Sequence, residues 1–110
     1  MTNRIVLNSV DQAVFAALAD PTRRAVFEQI ARAPSSVSDI AAGLPVSRPA
    51  VSQHLKVLSD AGLVTVRAEG TRRIYATDPA SLDGLRQWLD RMWSDALTRF
   101  AEAAEKEPNP

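Results

Sequence analysis

Apolar positions recur at helical spacing over most of the chain and switch to alternation once. Val14, Phe15 and Leu18 predict a first helix from about Val10 to Ala19, with Ser9 as its N-cap. Asp20-Pro21 starts a second, because aspartate caps orphan amides and proline suits a first turn. Val26, Phe27 and Ile30 form its buried side, and it stops before Pro34. A short third helix starts at Ser36 or Ser38, with Asp39 in its first turn. It turns Val37, Ile40, Ala41 and Leu44 inward and closes at Gly43, with Pro45 beyond. Ser47 caps a fourth helix that carries Pro49 in its first turn, has Val51, Leu55 and Leu58 as inner stripe, and ends at Gly62. The period then becomes two. Val64, Val66, Ile74 and Ala76 alternate with Thr65, Arg67, Arg73 and Tyr75 around a Glu69-Gly70-Thr71 turn, which predicts a hairpin. A last helix runs from about Ser81 to Glu105, and 107–110 should fray.

A short helix, a tight turn and a second helix form a helix-turn-helix, whose second helix suits a DNA major groove. At about 100° per residue, Val51, Leu55 and Leu58 fall within roughly 60° of one another. Pro49, Ser52, Gln53 and Lys56 group on the opposite face, bordered by Arg48 and Ser59. Gln can pair with an adenine edge, Ser can donate or accept, and Arg or Lys can reach guanine or phosphate. Any surface helix has a polar outer face, so the neighbouring hairpin decides. Arg67, Arg72 and Arg73 near its tip make it a wing able to grip phosphate. The candidate DNA-binding residues are therefore Ser47, Arg48, Pro49, Ser52, Gln53, His54, Lys56, Arg67, Arg72 and Arg73. His54 flanks the inner stripe and reads as a packing or phosphate-touching side chain rather than a catalytic one, since nothing adjacent orients it.

Composition narrows the alternatives. The 110 residues are 45% hydrophobic and 24% charged, the proportions of one folded domain with a real core. There is no cysteine and a single histidine, which removes disulfides, thiolate ligands, cysteine nucleophiles and any polyhistidine site within one chain. An enzyme is a distant reading, and no cofactor is expected. No apolar run reaches the roughly 18 residues of a membrane span, and Met1 to Val10 lack the pattern of a cleavable leader, so a cytoplasmic location is expected. The net charge of zero hides a segregation: residues 47–77 carry +3 and residues 78–110 carry −3. Screening confines each field to about 8–10 Å, so the local sign governs attraction to a polyanion.

The runs LADPTRRAVFEQIA and SVSDIAAGLPVSRPAVSQHLKVLSDAGLVTVRAEGTRRIYA resemble the ArsR/SmtB-type winged-helix repressors of bacteria and archaea. The likeness spans about Val14 to Trp93 and is most specific over Ser47 to Val64, at Ser52, His54-Leu55, Leu58 and Ala61-Gly62-Leu63-Val64. It implies a homodimeric repressor on a palindromic operator that is released by a signal. Metal-sensing members carry a cysteine pair where this chain has Ser36-Val37-Ser38-Asp39, and others place His and Asp ligands on the last helix, which here has no histidine. Serine hydroxyls replace neither thiolate nor imidazole, so the resemblance is to a metal-independent branch.

The expected fold is mainly α with a β-hairpin wing, a winged helix-turn-helix dimerising through its terminal helices. Residues 1–106 form one domain, with the helix-turn-helix at about 36–60, the wing at about 63–77 and the dimerisation helix at about 81–105. The last helix carries Leu82, Leu85, Leu89, Met92, Trp93, Ala96, Leu97 and Phe100 down one side, with Trp88 beside them. Leaving such side chains in water forgoes about 1.5–3 kcal/mol each, so a second copy is expected to cover them. The interface candidates are Val14, Phe15, Leu18, Leu85, Trp88, Leu89, Met92, Trp93, Leu97 and Phe100. An apolar small-molecule effector would enter near Trp88, Met92 and Trp93 and alter the spacing of the paired helices. The expected partners are thus double-stranded DNA, a second copy and such an effector, with no membrane. The competing reading is a winged protein-interaction module without DNA binding, for which the neutral net charge and acidic end leave room.

Overall fold

Among the described residues, five α-helices and one hairpin follow the order α1 (Ser9–Ala19), α2 (Pro21–Arg32), α3 (Val37–Gly43), α4 (Arg48–Asp60), β1 (Val64–Glu69), β2 (Arg72–Thr77) and α5 (Asp83–Lys106). A 3-10 turn, Pro79–Leu82, leads into α5. The computed structural model describes residues 8–106, so the expected fraying of 107–110 lies outside the described residues.

Side-chain caps set the helix boundaries. Asn8, not Ser9, caps α1: its side chain accepts from the Asp11 amide at 2.7 Å, and Ser9 is already helical. The α1–α2 corner is satisfied from both sides. Asp20 accepts from the amides of Thr22 and Arg23, while Arg23 and Arg24 reach back to carbonyls at the end of α1. Arg23 Nε donates to Ala17 O at 2.6 Å and Arg24 Nη1 to Leu18 O at 3.0 Å. Two guanidinium groups thus meet carbonyls that no turn of helix would satisfy, at the negative end of the helix dipole. Ser36 caps α3 in a reciprocal box, its hydroxyl accepting from the Asp39 amide while the Asp39 carboxylate accepts from the Ser36 amide.

The core lies where α1, α2, α3 and α4 meet the base of the hairpin. Val14, Ala17, Val26, Ile30, Ile40, Val51, Leu55, Leu58, Leu63 and Val64 form one buried cluster. Phe27, Val37, Ala41 and Leu44 pack against it half-buried. Helix α4 supplies all three members of its inner stripe and contacts α1, α2, α3 and β1. Its exit is a Schellman turn: the Leu63 amide donates to Leu58 O and the Gly62 amide to Ser59 O, both at 2.9 Å. Gly62 takes φ +78°, which glycine adopts without a Cβ clash.

The hairpin is antiparallel with Val66 opposite Tyr75 and Glu69 opposite Arg72, turning through Gly70-Thr71 with Gly70 at φ +63°. This register separates the two apolar sets that alternation suggested. Val64 and Val66 share a face with Thr77 and Tyr75, whereas Ile74 and Ala76 share the other with Arg67 and Thr65. Val64 and Ile74 are both buried, on opposite faces, Val64 at the base of the hairpin and Ile74 midway along β2, and Val66 is exposed. Ser35 adds a bridge to Tyr75 through two backbone hydrogen bonds of 2.8 and 3.0 Å, which ties the α2–α3 loop to β2.

Helix α5 stands away from this body. The structure measures 69 × 30 × 19 Å with a radius of gyration of 19.2 Å, against about 13 Å for a compact chain of 100 residues. Among the described residues, its first turns meet the body: Leu85 packs against the core, and Phe15 meets Trp88 edge-on with ring centroids 6.4 Å apart.

Two predictions follow from the caps and turns. Backbone amides hold the Asp20 carboxyl below its ordinary pKa, chiefly that of Arg23, and the Ser36 amide and hydroxyl do the same for Asp39. Because the folded-state values are depressed, their stabilisation is complete above the ordinary carboxylate range and disappears as pH falls through the folded values. The urea midpoint should therefore drop on acidification below about pH 4, and the fall should be shallower in Asp20→Asn and Asp39→Asn. Gly62→Ala and Gly70→Ala should each cost about 1 kcal/mol in urea unfolding, since a Cβ is strained at positive φ.

Candidate nucleic-acid interface

Burying Val51, Leu55 and Leu58 forces the other side of α4 into solvent. Arg48, Pro49, Ser52, Gln53 and Lys56 are all exposed. Arg48, Ser52 and Gln53 make no side-chain hydrogen bond or ion pair among the described residues, so their polar groups are available. Lys56 makes a loose i,i+4 pair with Asp60 at 3.4 Å, largely in water, which a stronger anion would displace at little cost. The Ser47 hydroxyl is committed to its cap, accepting from the Ala50 amide at 3.3 Å. His54 is half-buried on the flank of the inner stripe, where the helical wheel puts it.

The three wing arginines differ from one another. Arg67 pairs along its own strand with Glu69 at 3.3 Å. Arg73 is exposed and without a partner among the described residues. Arg72 is turned to the other face of the hairpin and engages α3: its Nη2 donates to both Asp39 Oδ2 and Ser36 Oγ, each at 2.8 Å. The sequence shows the Ser36-to-Asp39 capping spacing but not this third member, which lies 33 residues beyond Asp39 and is brought there by strand register. Ser36, Val37, Ser38, Thr71, Arg72 and Arg73 line a shallow pocket of about 300 Å³ along this seam. Among the described residues, no group of three or more His, Cys, Asp or Glu side chains could hold a metal ion.

The terminal helices divide the expected interface set. Val14 is wholly buried in the chain's own core and presents nothing to a partner, which corrects its placement at an interface. It lies on the face of α1 that meets the helix-turn-helix core. Leu18 and Leu85 are half-buried against that core, and Trp88 is half-buried beside Phe15. Phe15, Leu89 and Met92 are exposed, while Trp93, Leu97 and Phe100 are 63%, 61% and 74% exposed. No helix among the described residues is long and apolar enough to cross a membrane.

Comparison with known proteins agrees with this architecture. A helix-turn-helix domain family matches residues 18–67. The HTH-type transcriptional regulator Rv2034 of Mycobacterium tuberculosis is 56% identical over 91 residues, 83% of this chain and 85% of that protein. An ArsR-like transcriptional regulator from Rhodococcus sp. RHA1 superposes with a TM-score of 0.77 at 33% identity, covering 90% of this chain and 93% of that one. A solution structure from Mycobacterium bovis, described as a homodimeric winged helix-turn-helix DNA-binding domain, gives a TM-score of 0.64 at 25% identity over 100% of this chain and 94% of its own. The hairpin after the helix-turn-helix, the fold and these likenesses lead to one assignment: the chain belongs to the ArsR/SmtB-type winged helix-turn-helix transcriptional regulators, a family of regulators rather than enzymes.

Proposed function

We propose that this chain acts in the cytoplasm as a homodimeric repressor that binds an inverted-repeat operator, its own promoter among the targets, without sensing metal. The observation that carries the reading is the outer face of α4. Its Arg48, Ser52 and Gln53 are exposed and uncommitted while the opposite stripe is fully buried. In this reading Ser52 and Gln53 read base edges from the major groove. Arg48, Lys56, Arg67 and Arg73 hold the backbone, and Ser47 and Pro49 fix the start of α4. His54 packs at its flank, within reach of a phosphate.

One such module carries too few contacts for a specific site, and a two-fold pair doubles them. The partner copy would cover Phe15, Leu89, Met92, Trp93, Leu97 and Phe100, which otherwise remain in water. An apolar effector would act between the paired helices near Trp88, Met92 and Trp93. Metal independence is supported by the missing cysteines and the single histidine.

Selection of bound duplexes from random DNA should enrich one inverted repeat with half-site centres about 10 base pairs apart, bound less tightly as salt rises. Gln53→Ala should cost about 1–3 kcal/mol on the selected site and relax preference at one position per half-site. Sedimentation should give a dimer that Leu97→Glu dissociates, and zinc or a chelator should leave binding unchanged. No enriched repeat, or a monomer at the concentration of binding, would sink the proposal.

A further inference from the structure

The three wing arginines are alike in sequence, yet one is spent inside the molecule. Arg72 Nη2 forks onto Asp39 and Ser36 with two 2.8 Å contacts, and these same two residues already form the capping box of α3. Among the described residues, the Arg72–Asp39 ion pair alone joins separate elements; Lys56–Asp60 lies within α4 and Arg67–Glu69 within β1. The Ser35–Tyr75 bridge lies one residue before Ser36 and three after Arg72. Backbone and side chain thus fasten the hairpin to the start of α3 at two neighbouring points.

We propose that Arg72 is a positioning residue, a clamp that holds the wing against α3 so that the neighbouring Arg73, exposed and unpaired among the described residues, is presented ready to bind, and that it makes no phosphate contact of its own. The inference rests on the DNA-binding reading above for its consequence, though not for its geometry. A hairpin held before binding loses less freedom on binding. The pair is about half exposed on both sides (55% and 54%), so its worth is modest, a few-fold in an equilibrium constant. A phosphate contact and a clamp differ in what they do to salt dependence. Removing a phosphate contact lowers the slope of log K against log salt by about one, and removing a clamp does not.

The test uses the full chain and four variants: Arg72→Ala, Asp39→Asn, the double variant, and Arg73→Ala as the contrast. On the selected duplex, Arg72→Ala and Asp39→Asn should each weaken binding by about threefold to fivefold, the range of an exposed pair, with the salt slope kept. The double variant should be no weaker than either single one, because both remove the same interaction. Arg73→Ala should lower the slope by about one. In the DNA-free protein, amide exchange at Ser35 and Tyr75 should speed up by about threefold to fivefold in both clamp variants and not in Arg73→Ala. A lowered slope in Arg72→Ala, or tighter binding by Asp39→Asn, would identify Arg72 as a phosphate ligand and overturn the clamp. Unchanged exchange at the two amides overturns it as well. Should no duplex be enriched at all, the DNA reading fails while the exchange result still decides whether the clamp exists.

Discussion

Val51, Leu55 and Leu58 pack against the rest of the core with almost no exposure, and that contact fixes which way α4 faces. A helix held along a 60° stripe is not free to roll, so Ser52 and Gln53 are placed in solvent by the burial behind them. The same contact sets the exit of the chain. Leu58 is both a core residue and the acceptor for the Leu63 amide, so the Schellman turn and the base of β1 inherit their position from it. Helix, turn and wing form one mechanical unit because they share that anchor.

What the sequence carried plainly was periodicity and punctuation. Each helix was legible because its apolar residues return at helical spacing, and Asp20-Pro21, Ser36 to Asp39 and Ser47 announce starts through side chains that satisfy orphan amides. The first cap was misplaced by one residue because Asn8 and Ser9 are both competent acceptors and only backbone geometry separates them. In the hairpin, alternation located two strands but not which residues share a face, since that depends on pairing register across the turn. Val14 illustrates the remaining difficulty. Its helix has one face for the core and another for solvent, and neighbours such as Val14 and Phe15 fall on different ones.

The candidate site was legible on α4 and only partly in the wing. Helical phase alone distinguishes inner from outer positions of a well-anchored helix, so the exposed set needed no long-range information. Arginines on a hairpin look equivalent until their strand positions divide them between two faces. Arg72 then meets a carboxylate far away in sequence, and Arg73 does not. Arg23 and Arg24 make the same point: nothing in the periodicity singles them out, yet both close the end of α1. Basic residues in this chain are split between holding the fold and facing outward, which is why net charge says little about its partners.

Helix α5 leaves the body as an uninterrupted rod of 24 residues, with Trp93, Leu97 and Phe100 exposed along its distal part. The azimuth of that stripe is consequently set by residue count alone. One residue inserted after the first turns would rotate everything beyond it by about 100° and advance it by about 1.5 Å. Seven residues would return it to within about 20°. The length of this arm is therefore free to vary only in near-heptad steps, a phase constraint that the globular part of the chain does not share.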